Sequence, residues 1–397
     1  MSGVSYMDKL LNDVAVEWKP LGTLAEIYGG LTGKSKSDFD GGNAKYVSYK
    51  NIFANINVDF SSLESVKVSA TENQHEVKYG DILFTGSSET ADEAGMSSAV
   101  TTHFEEAVFL NSFSFGVRFN KEIPISSEFS KYLFRTSFMR SEIAKTASGV
   151  TRFNVSKERF RKILVPVLCP DNPKKSLEIQ AEIVRILDAF TELTTELTTE
   201  LTTRKKQYNH YRDKLLSFQD RVPSRRLGDV VRIKNGKDHK LLGDGEFPVY
   251  GSGGIMRYAD TYAYSKPSVL IPRKGSLGNL FFVDVPFWNV DTIFYTEIDE
   301  AQILPKFLYY FLTTVGLGGM NQAGGVPSQT QSVLNELKIP IPSIKVQKEI
   351  VTILDKFDTL TNSITEGLPR EIELRQQQYA HYRDLLLSFP KLEDVEE

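Results

Sequence analysis

The sequence predicts an α+β protein in which two similar globular modules are joined by two long antiparallel helices. A segment with helical periodicity occurs twice, at residues 177–218 and 346–389. Short strand patterns separated by Gly, Ser and Asn turns fill most of the remaining chain, and their motifs follow the same order in both modules. Together these observations indicate a circularly organised duplication with pseudo-two-fold symmetry.

The first helical segment contains neither Gly nor Pro over its 42 residues. The unit ELTT occurs three times in succession from residue 192 to residue 203. Its leucines, Leu193, Leu197 and Leu201, recur at helical spacing and form the apolar stripe of a predicted spacer helix. At about 1.5 Å per residue this helix reaches about 60 Å, far beyond an ordinary globular helix. It therefore needs a partner along most of its length.

The second helical segment supplies that partner, because its two ends repeat the first. EIVRILDAF corresponds to EIVTILDKF, and QYNHYRDKLLSF corresponds to QYAHYRDLLLSF. Between the matching Phe and Tyr residues there are 18 steps in the first copy and 22 in the second, a difference of one tetrad. A generic coiled coil would show the same stripe, but the duplicated sequence favours an internal pair.

The chain ends complete this arrangement. The DKLL at residues 8–11 repeats the DKLL at 213–216, so the N-terminus carries the last part of a helical repeat and should meet the C-terminus in space. The predicted segments are residues 1–15, which complete the helical repeat; 16–170, the first module; 171–219, the central helix; 220–343, the second module; and 344–397, the C-terminal helix.

The two modules share a skeleton but not a surface. Leu21, Gly22, Ile27 and Gly30 have counterparts at the same spacing in the second module. Those counterparts are Leu227, Gly228, Ile233 and Gly236. The intervening surface residues differ, so the two modules are expected to recognise two different things.

Composition and charge bound the remaining possibilities. The 397 residues are 41% hydrophobic with a net charge of −4, which predicts folded cores and excludes general disorder. The single cysteine, Cys169, excludes a disulfide framework, so the expected location is the cytoplasm. No apolar run approaches 18 residues, so no membrane contact is predicted. Positive charge is local: residues 221–240 carry seven Lys or Arg against two Asp, whereas residues 341–397 carry seven basic and eleven acidic side chains.

No catalytic residue, metal site or cofactor is predicted. Residues 29–35 resemble a phosphate-binding loop, but Tyr28 stands where that pattern requires Gly. The five His residues show no metal-ligand spacing, and no motif for S-adenosylmethionine or a target adenine is present. Any chemistry therefore belongs to partner proteins.

The order of module, long helix, module, long helix resembles the specificity subunit of type I restriction-modification enzymes. The residues that carry the resemblance are the ELTT tetrads, the closing HYRDxLLSF and the segments PFWNVDTIFY and KFLYY, and the likeness covers essentially the whole chain. It is greatest for the subgroup whose central helix carries tandem tetrads.

Membership of that family would imply two target-recognition domains that read an asymmetric bipartite site on double-stranded DNA. It would also imply two bound methyltransferase subunits and, through them, restriction and motor subunits, with adenine methylation and ATP-dependent cleavage performed by the complex. Two other hypotheses remain open, namely a stand-alone DNA-binding regulator and a scaffold protein that uses the helices alone.

The candidate DNA-binding residues lie in matching loops of the two modules, where donors, acceptors and cations could reach bases and phosphates. In the first module they are Lys34, Lys36, Tyr49, Lys50, Asn51, Ser87, Arg152 and Asn154. In the second module they are Lys234, Lys237, His239, Lys240, Tyr250, Ser252, Arg273, Lys274, Gln322 and Gln329.

One stretch does not fit a basic surface. Residues 85–117 contain no Lys or Arg but five acidic side chains, which would repel phosphates. We expect this stretch to face away from DNA; the alternative is that one carboxylate accepts a hydrogen bond from a cytosine amino group.

Overall fold

The computed structural model describes residues 14–218, 222–320 and 327–390. The chain divides into two compact units, Met1–Glu196 with Glu373–Glu397, and Leu197–Ile372. Most of the predicted N-terminal segment and the candidate residue Gln322 lie outside the described residues. No helix in the described ranges is long and apolar enough to cross a membrane.

The first unit is built from twelve short strands and the helices between them. The strands are β1 (Val16–Pro20), β2 (Ala25–Gly29), β3 (Ala44–Val47), β4 (Glu64–Val66), β5 (Ile82–Thr85), β6 (Ser87–Ser88), β7 (Ser97–Ala99), β8 (Val108–Leu110), β9 (Ser114–Phe119), β10 (Ala147–Ser148), β11 (Phe153–Val155) and β12 (Leu164–Leu168). The helices are α1 (Leu21–Leu24), α2 (Tyr49–Ala54), α3 (Ser127–Leu133), α4 (Ser137–Thr146), α5 (Lys157–Phe160) and the long α6 (Pro173–Leu216), which ends in the second unit.

The second unit repeats this plan with nine strands. They are β13 (Ser224–Arg226), β14 (Val231–Lys234), β15 (Phe247–Gly251), β16 (Gly254–Ala259), β17 (Ser268–Pro272), β18 (Phe281–Val283), β19 (Trp288–Asn289), β20 (Ile293–Ile298) and β21 (Lys338–Pro340). The helices are α7 (Leu227–Val230), α8 (Pro305–Val315), α9 (Gln331–Asn335), α10 (Ile344–Asn362) and α11 (Gly367–Leu386), which ends in the first unit.

Three sheets of the first unit have counterparts of the same topology in the second, whereas the sheet β10-β11-β6 belongs to the first unit. A four-stranded sheet has the order β2-β9-β5-β7 in the first unit and β14-β20-β17-β18 in the second. A three-stranded sheet has the order β4-β3-β8 in one and β16-β15-β19 in the other, and each contains one parallel pair. The pairs β1-β12 and β13-β21 are also equivalent. The duplication read from the sequence therefore extends to strand order and direction.

The matching glycines have a steric reason. A Cβ atom on Gly30 would lie 1.9 Å from the carbonyl oxygen of Asn111, and one on Gly236 would lie 2.0 Å from the carbonyl oxygen of Val290. Any side chain at either position would collide with backbone, so the close approach of these two segments requires glycine in both modules.

The tetrads lie within the uninterrupted helix α6. Leu193, Leu197 and Leu201 are all partly buried, whereas the intervening threonines are mostly exposed. Several threonine hydroxyls donate to the carbonyl four residues earlier, as Thr194 does to Phe190 at 2.9 Å. These bonds satisfy the hydroxyls on the helix itself, which offsets in part the low helix propensity of a β-branched residue.

The C-terminal repeat differs from the single helix predicted for residues 344–397. It consists of α10 and α11, separated by four residues, and Gly367 at the start of α11 has φ +75°. The Ser363 hydroxyl accepts from the amide of Glu366 at 3.1 Å and closes a local turn. The Gly and Pro residues of GLPR, absent from the first copy, lie in the first turn of α11, and the positive φ of Gly367 is incompatible with one continuous helix through this point. The break lies in the part of the repeat that is longer by one tetrad.

Each unit packs one half of each helical repeat against its module. In the first unit the rings of Phe190 and Tyr382 stack at 5.3 Å, and in the second the rings of Phe357 and Tyr211 stack at 5.7 Å. In the first unit the indole Nε1 of Trp18 also donates to the carbonyl of Pro390 at 2.9 Å. Residues near the two ends of the described chain therefore meet.

Candidate DNA interface

In each module the carboxyl ends of several strands meet and form a polar edge. In the first module the Asn111 amide donates to the Val47 carbonyl at 3.1 Å, and the Gly86 amide donates to the Phe113 carbonyl at 2.8 Å. These bonds join residues 48–50, 86–88 and 111–113, and the β6–β11 pairing adds residues 151–154. We call this surface edge 1.

The second module forms the same edge with equivalent bonds. The Val290 amide donates to the Tyr250 carbonyl at 2.9 Å, and the Arg273 amide donates to the Thr292 carbonyl at 2.8 Å. A bridge between Lys274 and Ser328 takes the place of the β6–β11 pairing. Edge 2 therefore consists of residues 251–253, 273–276, 290–292 and 327–329. The backbone is repeated, and the side chains on it are not.

Edge 1 borders a groove of about 630 Å³ whose lining includes Lys36, Tyr49, Lys50 and Phe113. Lys36 and Lys50 are exposed. The Tyr49 hydroxyl donates to the Ser87 carbonyl at 2.9 Å, and its ring stacks on Phe53 at 5.9 Å. Tyr49 is thus held rigidly, while the two ammonium groups supply positive charge along the groove.

Lys34 also lines this groove, but its charge is used within the module. Its Nζ donates to the Lys67 carbonyl at 2.7 Å and pairs with the Glu72 carboxylate, and its side chain is only 4% exposed. The Lys34 hydrogen bond lowers the pKa of Glu72 to about 2. Lys34 therefore fixes the loop at residues 67–72, and the lysines of the groove that remain exposed are Lys36 and Lys50.

Three other candidates, which were predicted to face a ligand, are buried in the structure. The Asn51 side chain donates to the Asp59 carbonyl at 2.8 Å and accepts from the Asp59 amide at 2.9 Å. Ser87 is buried in β6. Gln329 is buried and donates to the Pro272 carbonyl at 2.5 Å. The polar atoms of the Asn51 and Gln329 side chains therefore bond to backbone groups within their own modules.

Arg152 and Asn154 lie on the exposed loop of edge 1. Among the acidic side chains of residues 85–117, Glu93 lies beside edge 1 and Glu105 and Glu106 do not. The Ser88 hydroxyl donates to Glu93 at 3.1 Å next to β6, whereas Glu105 and Glu106 precede β8 at its amino end. Since β8 runs parallel to β3, the latter pair lies at the end of the strand opposite edge 1.

Edge 2 carries two cationic side chains, each with a contact inside the module. The Arg273 guanidinium lies 5.9 Å above the Phe294 ring, and Lys274 Nζ is 3.8 Å from an Asp291 oxygen, which is a loose ion pair. Ser252 is partly buried, and its amide donates to the Thr292 hydroxyl at 3.3 Å. Tyr250 packs against Phe281 at 5.7 Å, and burial raises the pKa of its phenol.

The loop after β14 lies beside edge 2, because the Lys237 amide donates to the Asn289 carbonyl at 2.9 Å. Lys237 and Lys240 are exposed, and Lys234 Nζ is 3.7 Å from Glu297. The Nδ1 atom of His239 is buried and has no hydrogen-bond partner among the described residues. The predicted basic cluster is thus brought to the same edge as Arg273 and Lys274.

Sequence reasoning missed the contacts that seat each module on its helices. Gln180 accepts from the Ser126 amide at 2.9 Å, and Gln347 accepts from the Leu304 amide at 2.8 Å. The side-chain nitrogen of Gln180 also donates to the hydroxyl of Ser176, which lies four residues earlier, at 3.0 Å. Both glutamines are almost fully buried. They occupy the same position in EIQAEI and KVQKEI. A glutamine repeated within an apolar stripe was the sequence feature that could have predicted this contact.

A second repeated contact lies two turns further along each helix. Asp188 pairs with Lys131 at 2.8 Å and accepts from Tyr132, and Asp355 pairs with Lys306 at 2.8 Å and accepts from Tyr310 at 2.6 Å. Burial, reinforced by the aspartate, raises the pKa of both phenols, so each stays protonated and donates. Each module is therefore fixed to its helix by one Gln and one Asp.

Phe113 was also missed. It stands between the two loops of edge 1 and is 67% exposed. Among the described residues, no group of three or more His, Cys, Asp or Glu side chains is placed to hold a metal ion.

Comparison with known proteins identifies relatives along the whole chain. The family model for the type I restriction modification DNA specificity domain matches residues 14–204 and again residues 220–374. The specificity subunit of the type I restriction enzyme EcoR124I/EcoR124II of Escherichia coli is 33% identical over the full length of both chains. The EcoprrI specificity subunit of Escherichia coli is 35% identical over 92% of this chain and 93% of that protein.

Solved structures agree at the level of the fold. The S subunit of a type I restriction-modification system from M. genitalium aligns with a TM-score of 0.56 at 18% identity, covering 96% of this chain and 98% of that one. A chain from a structural study of type I R-M complex assembly and conformational transition aligns with a TM-score of 0.67 at 14% identity, covering 95% and 98%.

Proposed function

Since the chain belongs to the type I restriction modification DNA specificity family, we propose that edge 1 and edge 2 each read one half of an asymmetric bipartite DNA site. The chain is a non-catalytic specificity subunit, which recognises DNA and assembles with the methyltransferase and restriction subunits that perform the chemistry. The observation that carries the proposal is the repetition of one backbone edge with two different sets of side chains.

The difference between the edges supports different half-sites. Equivalent backbone bonds align Gly86 with Arg273 and Ser87 with Lys274. A guanidinium can donate two parallel hydrogen bonds to a guanine edge, whereas Gly and Ser at the same place cannot. Lys36 and Lys50 at edge 1, and Lys237 and Lys240 beside edge 2, are proposed to contact phosphates and to position each module.

The helical repeat is proposed to hold two methyltransferase subunits, and through them the restriction subunits. Apolar side chains remain exposed on the helices of both repeats, namely Leu177, Ile353, Leu374 and Leu385. A duplicated helical surface offers two similar docking sites, and exposed apolar residues on a charged surface are typical of such sites. Two methyltransferase subunits for each specificity subunit is therefore the expected stoichiometry.

Exchange of residues 222–342 for the matching segment of a relative tests the division of labour. The recognised site is first obtained by methylation-sensitive sequencing of DNA from cells that carry the complete system. The exchange should change one half-site and leave the other intact. A change in both halves would contradict independent reading by the two modules.

Arg273→Ala gives a finer test within edge 2, measured on the complex with its methyltransferase subunits. If Arg273 contacts a base, binding should weaken by about 1–3 kcal/mol and specificity should relax at one position. A phosphate contact would weaken all sequences alike and reduce the salt dependence. Arg225→Ala is the matched control, because Arg225 is an exposed arginine of the same module in β13 that donates to Gln302.

A further inference from the structure

Phe113 is an exposed aromatic side chain at the centre of edge 1. Its backbone carbonyl accepts from Gly86, and the preceding Asn111 bonds to Val47, so the ring lies between the two loops proposed to face DNA. With 67% of its surface exposed, it is the most exposed phenylalanine in the described part of the chain. Such exposure of an apolar ring indicates a contact with another molecule.

The turn that carries Phe113 is held from several sides. The Phe113 amide donates to the Asn111 side-chain oxygen at 3.0 Å, and the Ser114 hydroxyl donates to the same oxygen at 3.1 Å. The side-chain nitrogen of Asn111, like its backbone amide, donates to the Val47 carbonyl at 3.1 Å, and Asn111 is buried. The backbone at Phe113 is therefore preorganised, so a contact made by the ring costs little ordering of the turn.

The surroundings of Phe113 suit a nucleic acid. The groove it lines carries the exposed ammonium groups of Lys36 and Lys50. It also contains Glu64, whose carboxylate accepts from the Tyr46 hydroxyl at 2.6 Å and is thereby held against the wall of the groove. An apolar ring between outward-facing cations fits a base edge flanked by phosphates better than it fits an apolar protein surface.

We propose that Phe113 contacts the 5-methyl group of a thymine in the half-site read by edge 1, an inference that rests on the proposed function. The thymine methyl is the apolar feature of the major groove, and phenylalanine is among the side chains that read it. In edge 2 the equivalent backbone position is Thr292, next to Asp291. The apolar contact therefore belongs to edge 1 and contributes to the difference between the half-sites.

Replacement of thymine by deoxyuridine tests this contact, because it removes the methyl group and leaves the base pair intact. Each thymine of the edge 1 half-site, on either strand, is replaced in turn, and affinity is measured for the complex with its methyltransferase subunits. One replacement should weaken binding about fourfold, the effect of taking one buried carbon group out of apolar contact. Phe113→Ala should bind the thymine and deoxyuridine duplexes equally.

Phe138→Ala is the matched control, since Phe138 is an exposed phenylalanine of the same module that packs on Trp18 at 5.7 Å. This variant should keep the full thymine preference. Phe113→Leu, which retains an apolar group of similar reach, should keep part of it. Because Phe113 is largely exposed, both Phe113 variants should fold, and their thermal unfolding can be compared with that of the unaltered chain.

Three results would overturn the contact. The first is that the half-site read by edge 1 contains no thymine on either strand. The second is that no deoxyuridine replacement weakens binding. The third is that a replacement weakens binding by Phe113→Ala as much as it weakens binding by the unaltered chain. A uniform loss of affinity in Phe113→Ala without any methyl dependence would mean that the ring acts as a wedge between bases. Failure of the proposed function is distinct, because the unaltered complex would then bind the natural site and a scrambled duplex equally.

Discussion

The two modules differ at their edges far more than in the parts that attach them to the helices. Gln180 and Gln347 accept backbone amides at 2.9 Å and 2.8 Å, and Asp188 and Asp355 each pair with a lysine at 2.8 Å. The attachment has thus been built twice with the same residue types and nearly the same distances. The two glutamines are almost fully buried, so the buried backbone groups that they satisfy leave these positions little freedom to differ.

At the edges the same backbone carries Gly86, Ser87 and Phe113 in one module and Arg273, Lys274 and Thr292 in the other. Phe113, Arg273 and Lys274 lie in the loops at the ends of the strands, where charge, size and polarity can change without altering the sheets beneath them. A rigid, repeated frame with variable loops allows two unlike half-sites to be read in one fixed arrangement.

The largest effect is expected when the equivalence of the two repeats is broken within α6. Deletion of two residues, Thr198 and Thr199, turns the following part of the helix by about 200° and puts its apolar stripe on the opposite face. We expect loss of assembly with the methyltransferase subunits or loss of specific DNA binding. Co-purification with those subunits and a binding titration measure both, and retention of both would contradict the stripe as the packing surface.

The next largest effect is expected when the contact that attaches a module to its helix is removed. Gln347→Ala removes the hydrogen bonds that its side chain makes with the Leu304 amide and with the carbonyls of Gln302 and Pro342. We expect a loss of about 3 kcal/mol in the free energy of unfolding. Gln180→Ala should cost a similar amount, since it has the same position in the first unit, and urea unfolding compares the two. A large loss in only one of them would show that the two attachments are not equivalent.

Removal of one whole tetrad, residues 196–199, should have a milder effect. It shortens α6 by about 6 Å and rotates the remainder by roughly 40°, so the stripe stays on nearly the same face. Because B-DNA rises about 3.4 Å per base pair, the gap between the half-sites should change by about one or two base pairs. Binding-site selection measures it, and an unchanged gap would show that the helix does not set the spacing.

The smallest effect concerns a contact in the first module. The pKa of Glu72 is about 2 in the folded chain against an ordinary 4.5, because Lys34 donates to it. A lowered folded pKa stabilises the protein above pH 4.5, and this contribution is lost as the pH falls from 4.5 towards 2. Glu72→Gln should flatten the pH dependence of unfolding in that window. Glu64→Gln is the control at a carboxylate of the same module that accepts from Tyr46 and not from Lys34, and an identical flattening there would argue against a special role for Lys34.

The local patterns in the sequence were reliable where structure depends on near neighbours. The ELTT spacing and the absence of Gly and Pro predicted the uninterrupted α6, and the shared motifs predicted two similar modules. The same reasoning overlooked Gly367 and Pro369 in the second repeat, and the structure shows two helices there. A helix boundary is decided by a few residues, so one glycine with positive φ outweighs a long periodic pattern.

Whether a candidate side chain is free to contact DNA depended on residues far away in the chain. Lys34 and Glu72 are 38 positions apart, and Gln329 and Pro272 are 57 positions apart. No local pattern announces such partners, so a polar residue in a glycine-containing loop looked available for DNA when the fold had already used it.

By itself the sequence determined the periodic and repeated features of this protein, namely the long helix, the duplication, the order of the modules and the family they belong to. These follow from the spacing of apolar residues and from Gly and Pro positions, which act over one or two turns of chain. Tertiary structure alone decided which polar side chains remain exposed at each edge. It placed Phe113 between two loops and turned Asn51 and Gln329 inward, because burial is set by the packing of segments that are distant in sequence.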